Sequence, residues 1–211
     1  MEDRKLQAVC KRINQAVAYL VNDDAEAALT PLLLAIDAAS GDGRAAYKSW
    51  LAARMRIVSL CFYRLGWSFA KVNLPHLPIN PRMKNPDEHG TIPFEELIYH
   101  LIRCGLVHDC ALPEQIQDNK TAAYRYDPES GTMYLSYRNL ARGLLMALLM
   151  DIPKDLSGSI QGNIAGYPLT KLCGLPEADM MAMVRCLWKA KIPDPAPSIV
   201  FAKTTPSTAS M

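Results

Sequence analysis

The chain has 211 residues, and 50% of them are hydrophobic, which is enough to bury a core and excludes disorder of the whole chain. Its 23 basic and 21 acidic residues leave a formal net charge of +2, so no charge surplus can hold a nucleic-acid backbone by itself. Any contact with RNA must therefore be local.

Signals for secretion, membranes and zinc are missing from the sequence. The chain starts with charged residues instead of a secretory stretch, and no apolar run approaches the roughly 20 residues of a membrane span. We therefore expect a cytoplasmic protein that does not contact a membrane. The six cysteines form no Cys-x2-Cys pair, which argues against structural zinc and disulfides. Cys61 and Cys186 lie in apolar surroundings and are expected to be core residues.

Two amphipathic helices are predicted at the start of the chain. Apolar residues recur at three- and four-residue intervals between Leu6 and Leu20, which is typical of a helix with one buried face. The capping side chains of residues 22–24 then predict a second helix over residues 25–39. The centre of this second helix is apolar nearly all round, so we expect it inside a bundle.

A third, long helix is expected from Ala45 to about Ala70, because no breaker precedes Gly66. Five prolines within residues 74–93 then forbid regular helix and predict an ordered loop. The fourth helix places Pro93 in its first turn and runs to about Cys110.

The spacing of apolar residues changes in the last part of the chain. Residues 123–126 and 132–137 alternate between apolar and polar types around a turn sequence, which predicts a β-hairpin. A short apolar helix over 139–150, a Gly-rich loop over 153–166 and a final helix over 177–190 follow. We therefore expect a mainly α fold: a helical bundle over 1–112, an extension over 113–202 packed on the same domain, and a flexible tail over 203–211.

The fourth helix carries a family resemblance. Residues 94–109, Phe-Glu-Glu-Leu-Ile-Tyr-His-Leu-Ile-Arg-Cys-Gly-Leu-Val-His-Asp, resemble the signature helix of HEPN domains, which carries Arg and His separated by four to six residues. Residues 29–38 resemble the buried helix that precedes it, so the resemblance covers roughly residues 24–112. It implies a HEPN-like helical bundle that forms homodimers and acts as an endoribonuclease without a metal or other cofactor. RNA and a protein partner such as an antitoxin are the partners it implies.

The candidate catalytic residues are Arg103 and His108. RNA can be cut by its own 2′-hydroxyl if a base removes that proton and a cation holds the charge on the phosphate. Neutral His108 is suited to act as the base, and the guanidinium of Arg103 as the cation. Asp37, the one acid of its apolar run, is expected to be at least partly buried beside a cation, for which Arg103 is the candidate. Asp109 is a second supporting candidate.

A structural interpretation of the same residues stays open. Residues five apart on a straight α-helix lie roughly 140° apart, so Arg103 must reach, or two copies must converge across a dimer. Arg103 and Asp37 could instead simply lock two helices together. Cys104 also departs from the polar residue that often follows the Arg in catalytic family members. The alternative function is a non-catalytic helical module that binds a protein or nucleotide through the same groove.

Other polar residues favour ordinary structural interpretations. His100 is expected to be a packed or surface residue, and His76 and His89 are expected to be exposed in the proline-rich loop. The tyrosines of the hairpin could stack on bases, but a hairpin packed on a helix is favoured. The stretch 158–166 lacks the residues of a phosphate-binding loop and is expected to be a plain loop.

Overall fold

A computed structural model describes residues 3–64, 71–73, 91–120, 124–127 and 129–189. Within these ranges the fold is mainly helical with a small sheet, as predicted. The α-helices are α1 (Asp3–Val21), α2 (Ala25–Ser40), α3 (Arg44–Ala53), α4 (Met55–Tyr63), α5 (Phe94–Leu97), α6 (Tyr137–Leu149) and α7 (Glu177–Lys189). The strands are β1 (Lys71–Asn73), β2 (Thr91–Pro93), β3 (Ile116–Asp118), β4 (Tyr124–Asp127), β5 (Thr132–Leu135), β6 (Asn163–Ile164) and β7 (Tyr167–Pro168). The predicted tail over 203–211 and the proline-rich residues 74–90 lie outside the described ranges.

Helices α1 and α2 confirm the first two predictions and pack against each other. The Oδ1 atom of Asp24 caps α2 by accepting a hydrogen bond from the backbone N–H of Ala27 at 3.0 Å. Leu29, Leu32 and Ile36 are completely buried, as the apolar centre of α2 predicts. The last turn of this buried helix carries Asp37.

The prediction of one long third helix is wrong, because the chain breaks at Arg54 into α3 and α4. The guanidinium of Arg54 forms an ion pair with Asp151 and lies 4.4 Å from the ring centre of Trp50. Trp50 itself donates to Asp151 from its indole nitrogen at 2.7 Å. The residues at this break therefore contact a residue about a hundred positions away, and local periodicity carries no sign of that contact. Residues 65–70 of the predicted helix lie outside the described ranges.

The fourth predicted helix is present, but most of it is not α-helical. After α5 the chain continues as two π-helical segments, π1 (Ile98–Arg103) and π2 (Gly105–Asp109). The backbone N–H of Cys104 donates to the carbonyl of Tyr99, and the backbone N–H of Cys110 donates to the carbonyl of Gly105. Each hydrogen bond therefore joins two residues five positions apart, which is the pattern of a π-helix. We call residues 94–109 together the signature helix. Strand β2 precedes it and pairs antiparallel with β1.

Strands β4 and β5 form an antiparallel pair in which Tyr124 lies opposite Leu135. A third strand that the sequence analysis did not anticipate, β3, runs parallel to β5 on its other side. The described element is therefore a three-stranded sheet with the order β3-β5-β4, larger than the predicted two-stranded hairpin. Tyr137 ties this sheet to α6, because its hydroxyl donates to the carbonyl of Ile116 at 2.9 Å.

Helix α6 is the centre of the later half and packs against α2 and α4. Its close approach to α4 depends on Gly143, where a Cβ would lie 3.0 Å from the carbonyl oxygen of Val58. The predicted loop over 153–166 contains a 3-10 helix (Lys154–Ser159) and strand β6. None of the helices in the described ranges has the length and apolar character needed to span a membrane.

The prediction that Cys186 is a core residue is wrong. Helix α7 buries Met180, Met181 and Val184, whereas Cys186 is exposed. Cys186 is therefore not a core residue, because it follows Val184 by two positions and lies away from the buried stripe of the helix. Cys61 is completely buried, as predicted, and its burial raises the pKa of the thiol.

Candidate functional site

Arg103 joins the signature helix to the last turn of α2. Its Nη2 and Nε atoms donate to Oδ2 of Asp37 at 2.9 and 3.3 Å, which confirms the predicted contact between these two residues. The side chain of Arg103 is 15% exposed and that of Asp37 is 31% exposed, so the pair is partly shielded from water. Partial burial acts to lower the pKa of Arg103, but the hydrogen bonds and charge of Asp37 outweigh it and raise that pKa. Arg103 therefore keeps its positive charge.

The same guanidinium reaches His108. Its Nη1 atom lies 2.7 Å from Nε2 of His108, a hydrogen-bonding distance. The expected separation of roughly 140° does not apply here, because it assumed α-helical turns. The wider turns of the two π-helical segments place positions 103 and 108 on the same face. No second copy of the chain is needed to bring these two side chains together.

This contact defines the protonation of His108. A guanidinium can only donate hydrogen bonds, so Nε2 of His108 must accept. The imidazole in this arrangement is therefore neutral, with its proton on Nδ1. His108 is exposed at the surface, so the other side of the ring can be reached from solvent.

Gly105 lies between Arg103 and His108 and determines how the signature helix ends. A Cβ at this position would lie 2.7 Å from the backbone oxygen of Ala111, closer than real Cβ contacts come. The chain beyond the helix folds back against this glycine, and the N–H of Ala111 donates to the carbonyl of Gly105 at 3.3 Å. A larger residue would push residues 105–111 apart and shift His108.

Two aromatic residues that the sequence does not single out lie on one side of Arg103, with Tyr99 against the guanidinium and Tyr47 behind Tyr99. Its guanidinium lies 5.4 Å from the ring centre of Tyr99, within the range of a cation–π contact. Tyr99 packs edge-to-face on Tyr47 of α3 at 5.1 Å. Tyr47 is 1% exposed, and burial followed by the charge of Asp37 raises its pKa well above the usual value. Tyr47 carries no local signal, because a tyrosine in an amphipathic helix reads as an ordinary core residue.

A second polar cluster lies one to two turns earlier on the signature helix. The carboxylate of Glu96 is 2% exposed and forms an ion pair with Lys48 of α3. Nε2 of His100 lies 3.3 Å from Oε2 of Glu96, and Nη2 of Arg44 lies 3.8 Å from the same oxygen. His100 is thus a packed residue, one of the two outcomes expected for it. The spacing of four between Glu96 and His100 is the sequence signal that could have revealed their contact.

The remaining predicted residues do not join this site. Asp109 is exposed, and among the described residues its carboxylate makes no hydrogen bond or ion pair with Arg103 or His108. His76 and His89 lie outside the described ranges. Tyr137 is buried by its packing on the sheet, and Arg125 covers the ring of Tyr134 at 4.5 Å.

The described ranges contain no group of three or more His, Cys, Asp or Glu side chains arranged to hold a metal ion. Arg103 supplies a hydrogen-bond donor and His108 a proton acceptor, and Asp37 holds the guanidinium of Arg103. Comparison with protein-family models, characterised proteins and solved structures finds no match to this chain.

Proposed function

We propose that this protein is a metal-independent endoribonuclease of the HEPN type. The observation that carries the proposal is the 2.7 Å contact between Arg103 and His108, with Asp37 holding the guanidinium from behind. A base and a permanent cation in contact are the two groups that RNA cleavage by the 2′-hydroxyl requires. Their location on two consecutive π-helical segments adds support, since π-helical turns are frequent at functional sites.

In the proposed reaction His108 takes the proton of the 2′-hydroxyl at Nε2. The 2′-oxygen then bonds to the adjacent phosphorus, and the bond from phosphorus to the 5′-oxygen breaks. Arg103 donates to the non-bridging oxygens, where negative charge collects. The 5′-oxygen leaves with a proton from solvent, so the products are a 2′,3′-cyclic phosphate and a 5′-hydroxyl.

The observed arrangement is a resting one under this proposal. The lone pair of Nε2 in His108 is occupied by an N–H of Arg103, so the base is not available until that bond opens. A substrate phosphate would draw the guanidinium toward its oxygens and release His108 at the same time. Binding of RNA and activation of the base are thus coupled through Arg103. We extend the proposal to a homodimer in which two such sites face one RNA, as the HEPN resemblance implies.

The test incubates purified protein with RNA in excess chelator and examines the product ends. We expect cleavage by the wild-type protein, 2′,3′-cyclic phosphate ends, and resistance of an oligonucleotide that lacks the 2′-hydroxyl at the cleaved position. Arg103→Ala and His108→Ala should each abolish cleavage. Arg56→Ala is the matched control, since Arg56 is 52% exposed and pairs with Glu177 away from the site. Equal RNA loss with all four proteins would refute the proposal.

A binding module without catalysis is the second candidate, and one observation favours it. Three of the five guanidinium N–H groups of Arg103 are already engaged by Asp37 and His108, as in a structural lock. In that case the RNA would be retained uncut. Retention of labelled RNA by wild-type protein but not by Arg103→Ala, with no new ends, would establish this second function.

A further inference from the structure

Tyr47 presents a polar atom that the proposed reaction does not use. Its side chain is 1% exposed, and its hydroxyl has no hydrogen-bond partner among the described residues. A buried hydroxyl without a partner is costly, whereas phenylalanine would fill the same space without that cost. Such a group in a folded protein calls for a physical explanation.

The surroundings of Tyr47 suggest its partner. Tyr47 and Arg103 both pack on Tyr99, with centre distances of 5.1 Å between the tyrosine rings and 5.4 Å from the guanidinium to Tyr99. Asp37 is the charged group that acts most strongly on the buried Tyr47 hydroxyl. The hydroxyl is thus within electrostatic range of the Asp37–Arg103 pair and makes no hydrogen bond to either residue.

Asp37 has acceptor capacity to spare. The Nε and Nη2 atoms of Arg103 donate to the same oxygen of Asp37, Oδ2. The other oxygen, Oδ1, accepts no hydrogen bond from the residues that the structure describes. Any departure of Arg103 would leave a carboxylate that is only 31% exposed without its cation, which is unfavourable.

We propose that Tyr47 is the alternative hydrogen-bond donor to Asp37. The Tyr47 hydroxyl donates to the carboxylate of Asp37 when Arg103 turns away from Asp37 toward a bound anion. The exchange keeps the carboxylate hydrogen-bonded in both arrangements, so moving Arg103 costs less. Tyr47 is then a positioning residue, because it acts through Asp37 and touches no substrate. Its role in cleavage rests on the proposed function, whereas the exchange itself can be measured without RNA.

The test is a double-mutant cycle on stability, measured by urea unfolding. In the wild-type background Tyr47→Phe should leave the urea midpoint unchanged or raise it, because it removes an unpartnered hydroxyl. In an Arg103→Leu background the same substitution should lower the midpoint, because the hydroxyl now serves Asp37. Arg103→Gln provides a second background if Arg103→Leu does not fold.

Tyr137→Phe is the matched control for this cycle. The hydroxyl of Tyr137 already donates to the carbonyl of Ile116 at 2.9 Å, so its removal should lower the midpoint equally in both backgrounds. The proposal is overturned if Tyr47→Phe also shifts the midpoint equally in both backgrounds.

The kinetic consequence separates the two proposals. If the wild-type protein cleaves RNA, Tyr47→Phe should lower kcat by about tenfold with little change in KM, the size of one hydrogen bond to a charged group. An unchanged kcat would overturn the role of Tyr47 in cleavage. If the wild-type protein cleaves no RNA, the nuclease proposal fails, and the unfolding cycle still decides whether Tyr47 exchanges with Arg103.

Discussion

Nη1 of Arg103 lies 2.7 Å from Nε2 of His108, five residues further along the same helix. On α-helical turns these side chains would diverge, so their contact is a product of the π-helical segments between Ile98 and Asp109. The same guanidinium binds Asp37 on α2, 66 positions earlier in the chain. One arginine therefore connects the backbone geometry of the signature helix to the packing of the bundle.

The first prediction concerns Asp37. Asp37→Asn should lower the free energy of unfolding by about 1–2 kcal/mol, because a partly buried guanidinium loses its anionic partner. Urea unfolding measures the change. Asp42→Asn is the control, since Asp42 is exposed in the turn before α3 and its substitution should change stability by less than about 0.5 kcal/mol. Equal effects of the two substitutions would show that Asp37 does not stabilise Arg103.

Asp37 and Arg103 also illustrate what could be predicted from the sequence. A lone acid in an apolar run favours a cationic partner, so their pairing followed from elementary electrostatics. Helices α1 and α2 followed from local periodicity and from the cap at Asp24. The break at Arg54 did not, because Arg54 and Trp50 both contact Asp151, which is distant in the sequence.

The π-helical turns were the most consequential feature missing from the sequence analysis. Apolar residues of the signature helix fit an α-helical stripe. Their spacing therefore predicted the helix and its position, but not that its turns are π-helical. Gly105 is the residue that could have given a hint, since a small residue between Arg103 and His108 permits the close approach of Ala111. Tyr47 was missed for a different reason, because its isolation from hydrogen-bond partners is a property of the packed structure.

The second prediction tests that glycine. Gly105→Ala should lower the free energy of unfolding by about 1–3 kcal/mol, because its Cβ would lie 2.7 Å from a backbone oxygen that cannot rotate away. Thermal or urea unfolding is the measurement. Gly158→Ala is the control, as its Cβ would meet nothing within 4 Å, and it should be neutral or slightly stabilising. A neutral Gly105→Ala would mean that residues 105–111 are not held in this close approach.

The third prediction concerns alkaline pH. Burial raises the pKa of Cys173 from 9.0 to about 11, so above pH 9 the unfolded chain loses a proton that the folded chain keeps. The stability linked to this thiol is complete below pH 9 and falls as the pH rises to 11, by about 3 kcal/mol in total. Cys173→Ala should flatten the loss of stability over this window, relative to wild type. Parallel stability curves for the two proteins from pH 8 to 11 would contradict the prediction.

The central claim is that Arg103 and His108 act as one unit on RNA, and the most direct test is a kinetic cycle in excess chelator. The rate of cleavage of one RNA oligonucleotide is measured for wild type, Arg103→Ala, His108→Ala and the double variant. We predict that each single substitution lowers the rate at least about 100-fold and that the double variant is no slower than the slower single variant. Cleavage by the double variant at the wild-type rate would contradict the account.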